Sequence, residues 1–143
     1  MNINDLKEVR YDKAIALRDA DKVDEALRAM QALLADFPDF ALAQLAVAAL
    51  YAKQGLPEAA FSAAVKACEL DSGNPFFFTA LSSLAIKAGH HQEAEDALMK
   101  AQEIRFNIQI EKMRALKEQE ENTSAASDST QEEQDSTPES PRE

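Results

Sequence analysis

Residues 41–74 read ALAQLAVAALYAKQGLPEAAFSAAVKACELDSGN, and the division of this stretch decides the fold. Leu42, Leu45, Val47, Ala48 and Tyr51 recur at helical spacing, which predicts a helix from about Ala41 to Lys53. Gly55 then supplies the left-handed backbone conformation that commonly ends a helix. Pro57 suits the first turn of a second helix, where no amide hydrogen is needed. The stretch is therefore a helix, a turn and a second helix.

Working outward, the same unit recurs on both sides. The step from Gly55 to Gly89 is also the step that links Ala26, Ala60 and Ala94, and Met30, Ala64 and Leu98. Leu33, Ala67 and Ala101 keep it, and Leu17, Tyr51 and Ala85 carry it toward the N-terminus. Three units follow, 7–40, 41–74 and 75–108. The third opens with Asn74-Pro75, an N-cap followed by a first-turn proline. In the first unit Asp21 stands where the others have glycine, so that turn is expected to be the loosest.

These residues resemble the tetratricopeptide repeat (TPR), a helix-turn-helix unit of about 34 residues. The resemblance rests on Ala14, Leu17, Glu25-Ala26 and Pro38, on Ala48, Tyr51, Gly55, Ala60 and Ala67, and on Phe78, Leu81, Gly89, Glu93-Ala94 and Ala101. It implies an all-α fold, with helix-turn-helix repeats stacked as a short right-handed α-solenoid. Two departures stand out. The large aromatic near the start of the first helix is Arg10 in unit one, which points to an exposed end surface, and Gln44 in unit two, which reduces packing.

By analogy with the family, the first helix of each unit lines the concave side. The inner positions read Glu8, Tyr11, Ile15 and Arg18, then Leu42, Leu45, Ala49 and Ala52, then Phe76, Thr79, Ser83 and Ile86. Tyr11, Ile15, Leu42, Leu45, Ala49, Ala52, Phe76, Thr79, Ser83 and Ile86 are thus the expected binding residues. An open surface with several large hydrophobes calls for a partner, here an apolar or amphipathic peptide. The alternative is that these side chains only pack among neighbouring first helices. Some family members grip a C-terminal carboxylate with two Lys, two Asn and an Arg. Tyr11, Ile15, Ala49, Thr79 and Ser83 occupy those places, so that clamp is absent. Lys53 and Lys87 put two cations at the groove edge, where a helix C-terminus also favours lysine. In the run 76–78, Phe78 is expected in the core, Phe77 at an interface and Phe76 on a ligand.

Composition narrows the chemistry. The 143 residues include 3 Gly, 1 Cys, 2 His and no Trp, so a glycine-rich phosphate loop and a cysteine-based zinc site are not provided for. His90 and His91 are chain neighbours that diverge on a helix, Cys68 reads as a buried small hydrophobe, and no nucleophile has a partner in a recognisable motif. The expected protein is a non-enzyme with no cofactor and no metal. A net charge of -11 argues against nucleic acid and membrane insertion, and no stretch has the ~18 apolar residues of a span. A cytoplasmic location is expected.

Residues 109–121 continue as a helix with a thin line of Ile110, Met113 and Leu116, read as a cap that completes a domain over 1–121. From Asn122 the composition is Ser, Thr, Gln, Glu, Asp and Pro, which predicts a disordered acidic tail over 122–143 with a net charge of -5. Thr137-Pro138 and Ser140-Pro141 are candidate phosphorylation sites there. The reading as a whole is a protein-protein interaction adaptor. The alternatives are a small secretion-type TPR chaperone for a hydrophobic client and a self-assembling scaffold, a homo-oligomer.

Overall fold

A computed structural model of the chain describes residues 2–135, and the regular structure among them is six α-helices. They are α1 (Ile3–Asp19), α2 (Val23–Asp36), α3 (Ala41–Lys53), α4 (Pro57–Leu70), α5 (Pro75–Lys87) and α6 (His91–Asp135). The chain divides into two units, Met1–Ile104 and Arg105–Glu143.

In the first unit each helix packs on the next in chain order from α1 to α5. The repeated small residues make this close approach possible, because helix axes come to about 8 Å only where side chains are short. Ala26 and Ala60 are fully buried and Ala94 is 3% exposed, while Met30, Leu33 and Leu50 fill the larger spaces between helices. The α5 and α6 backbones are joined through Ser82, the one buried polar side chain among the described residues, whose hydroxyl donates to the Ala94 carbonyl at 2.8 Å. Ser82 holds the repeat position that the fully buried Ala48 holds one unit earlier.

The three turns share one geometry. Gly55 and Gly89 have φ of 78° and 81°, and Asp21 has φ of 63°. No atom lies within 4 Å of where a Cβ on Gly55 or Gly89 would sit, so glycine is favoured there by its backbone freedom. Each turn closes with two amides donating back into the preceding helix: Asp21 to Arg18 and Lys22 to Leu17, Gly55 to Ala52 and Leu56 to Tyr51, Gly89 to Ile86 and His90 to Ala85. The expectation of a looser first turn is corrected: its bonds, 3.0 and 2.9 Å, match the others, and Asp21 bears the difference as a strained backbone. Asn74 caps α5 as predicted, its side chain accepting from the Phe76 amide at 3.0 Å.

Two long-range bonds repeat along the stack. Asp24, in the first turn of α2, accepts from Gln54 at 2.7 Å. Glu58, at the same repeat position in the first turn of α4, meets His90 Nε2 at 2.8 and 2.9 Å. The His90 ring also stacks on Phe61, with centroids 4.3 Å apart.

In the second unit α6 continues without a break, so residues 109–121 are the middle of one helix. The helix runs on to Asp135, so residues 122–135, expected to be disordered, are helical. No Gly or Pro falls between His91 and Asp135, so no helix-breaking residue interrupts α6 there. Thr137-Pro138 and Ser140-Pro141 lie outside the described residues.

Candidate functional site

The first helices of the three pairs, α1, α3 and α5, carry the expected binding residues at differing depths. Leu42, Phe76 and Ile86 are 41%, 63% and 56% exposed, and Ala49 and Ser83 are exposed on the same helices. Tyr11, Ile15, Leu45 and Ala52 are half-buried and pack against the core. Thr79 is half-buried too, its hydroxyl donating to the Pro75 carbonyl at 3.0 Å. The candidate surface is thus three protruding hydrophobes, one on α3 and two on α5, with a partly buried floor.

On α1 the floor is built around aromatic rings. Tyr11 meets Phe40 edge to face at 5.6 Å, and Lys7 Nζ lies 4.7 Å from the Phe40 ring centre. Burial pushes the Tyr11 hydroxyl above its ordinary pKa, with Arg18 opposing the rise and Asp12 adding to it. Tyr11 therefore stays neutral across the physiological range. At the other end of these helices, Lys53 and Lys87 are exposed in the last turns of α3 and α5.

No protein-family model matches the chain, and no curated protein matches it. Solved structures do. The Yersinia enterocolitica type III secretion translocator chaperone SycD is similar with a TM-score of 0.66 at 24% identity, over 72% of this chain and 78% of SycD. MamA from Desulfovibrio magneticus RS-1, solved from residue 41 to its end, is similar with a TM-score of 0.64 at 22% identity, over 68% of this chain and 55% of that solved chain. The second TPR of Spaghetti (RPAP3), bound to the HSP90 peptide SRMEEVD, gives 0.63 at 18% identity, over 68% and 91%. The fold is that of the tetratricopeptide repeat.

The TPR frame accounts for several side chains. Of the phenylalanine run, Phe77 is the one in the core at 3% exposed, Phe78 is half-buried and Phe76 is exposed. The expected order of Phe77 and Phe78 is therefore reversed. Phe78 shares its repeat position with Arg10 and Gln44, both also half-buried. That position is the edge of the TPR core, which is why it accepts a polar side chain.

At Gln44 the missing aromatic leaves space. A cavity of about 340 Å³ opens there between α2, α3 and α4, lined by Gln31, Leu34, Gln44, Val47, Tyr51 and Lys66 among others. Gln31 Nε2 donates to the Tyr51 hydroxyl at 3.1 Å on its wall. The sequence carried the signal, a glutamine at an aromatic place, but the departure read only as reduced packing. A second cavity, about 180 Å³, has Ser82, Ile86 and Leu98 in its lining, so Ile86 also borders α6.

His90 is engaged with Glu58 and Phe61. Among the described residues no group of three or more His, Cys, Asp or Glu is placed to hold a metal ion. Cys68 is 4% exposed. Burial, with Asp71 and Glu69 nearby, pushes its thiol up to about 11, so it is protonated and unreactive at neutral pH. Among the described residues no helix is long and apolar enough to cross a membrane.

Proposed function

We propose that this protein is a non-enzymatic adaptor whose α1, α3 and α5 surface holds an apolar or amphipathic peptide or helix of a partner protein. The observation that carries this reading is the exposure of Leu42, Phe76 and Ile86 on the first helices of successive repeats. Large hydrophobes left open on a preformed helical surface lower the ordering cost of binding, so a modest contact area suffices. Two of the similar folds support it. SycD has been solved with a peptide of the translocator YopD, and the Spaghetti domain with an HSP90 peptide. The residues that would grip a terminal carboxylate are replaced here by Tyr11, Ile15, Ala49, Thr79 and Ser83, so recognition runs through apolar side chains. A soluble, cytoplasmic setting belongs to the same proposal.

The likeness to SycD favours a second reading, a chaperone that shields one hydrophobic client. Both readings use the same surface and differ in whether the client is unfolded when bound. Leu42→Glu with Phe76→Glu tests the surface, because both side chains are already exposed and the helices should persist by circular dichroism. Loss of the co-purifying partner is expected. Retained binding would move recognition to another face.

A further inference from the structure

The second unit has a surface of its own on the part of α6 that follows Ile104. Within α6, Phe106, Ile110 and Met113 follow one another at i, i+4 and i+7, and Leu116 extends their line. At 3.6 residues per turn they share one side of the helix. They are 62%, 37%, 59% and 59% exposed, respectively.

The charges around this stripe are out of character with the rest of the chain. Residues 105–117 hold Arg105, Lys112, Arg114 and Lys117 against Glu111, a net of +3 in a protein of -11. Arg105 and Lys112, one heptad apart, border the stripe on one side, and Arg114 borders it on the other. Lys117 stands in line with Phe106 and Met113, where its methylene stem extends the apolar strip. Lys112, Arg114 and Lys117 are exposed. Glu118, Glu120 and Glu121 follow directly and are also exposed.

We propose that residues 105–117 of α6 dock an amphipathic helix of a partner protein whose apolar face is bordered by acidic residues. Apolar side chains supply the contact and the cations select the partner, since a like-charged border would be repelled across the stripe. An anionic membrane is the poorer match because Glu118, Glu120 and Glu121 would lie against its headgroups.

Two labelled synthetic helices with one leucine stripe test this, one bordered by glutamate and its twin by lysine. Fluorescence anisotropy with the full chain should show the glutamate peptide binding at least about tenfold tighter, a preference that weakens with salt. Lys112→Glu, Arg114→Glu and Lys117→Glu together should abolish the preference; glutamate keeps the helix propensity, and circular dichroism checks it. Leu42→Glu with Phe76→Glu should leave binding unchanged, which separates this surface from the α1, α3 and α5 site. Equal binding of the two peptides, or binding of neither, would overturn the proposal. So would flotation of the chain with phosphatidylserine vesicles that the triple variant abolishes, which would assign the surface to lipid. A dimer in analytical ultracentrifugation that Phe106→Ser with Met113→Ser dissolves would assign it to a second copy, and also overturn it.

Discussion

Asp21 occupies a backbone conformation that its two counterparts fill with glycine. All three turns have positive φ and the same pair of closing bonds, so the surrounding structure imposes the conformation whatever residue is present. An L-residue pays a steric cost there that glycine does not, reduced for Asp by its short polar side chain. Asp21→Gly should therefore stabilise the protein by about 0.5 kcal/mol, the relief of strain exceeding the extra freedom glycine gives the unfolded chain. Urea denaturation measures this, and a destabilised variant would mean that the Asp21 side chain makes a contact of its own. The repeat made this site legible, since Asp21 lies one repeat step before Gly55. The backbone strain was not legible, because sequence gives the residue type and not whether the turn yields to it.

At the scale of elements, the stack is held by junctions between consecutive helices. The small residues at 26, 60 and 94 announced those junctions because axial approach leaves no room for anything larger. The polar bonds across them were hidden. Asp24 and Glu58 lie in the first turns of α2 and α4, where an acid complements the helix dipole, and each also reaches the following turn, to Gln54 and His90. Their partners fall at different repeat positions, so periodicity could not pair them. The order of Phe77 and Phe78 was missed for a related reason: three consecutive aromatics fix three directions on a helix, and only the packing of α5 on α4 decides which direction is deepest. His90→Ala removes both a bond to a carboxylate and a stacked ring. The expected cost is about 1 to 2 kcal/mol, with faster amide hydrogen exchange in α5 and the start of α6 than in α1 and α2. Uniform acceleration throughout the chain would show that the junction unfolds only with the whole stack.

For the whole molecule, the division at Ile104 and Arg105 separates the buried core from an exposed helix. Among the described residues every core hydrophobe, from Ala14 to Ala101, belongs to the first unit, whereas the side chains at 105–126 are exposed throughout. This contrast was half legible. The loss of repeat character near residue 108 and the helix over 109–121 showed in the sequence, but the continuation of α6 past residue 121 did not, because low apolar content argues against a core and says nothing against a helix. The denaturant slope scales with the surface exposed on unfolding, and that surface lies almost wholly in the first unit. A chain ending at Ile104 should therefore unfold cooperatively with nearly the slope of the full chain. It should keep binding at α1, α3 and α5 and lose the preference for acid-bordered helices, both measurable on one preparation by urea titration and anisotropy. A marked fall in slope would mean that residues after Ile104 bury substantial surface in the folded protein, and loss of both binding activities would mean that the two surfaces are one.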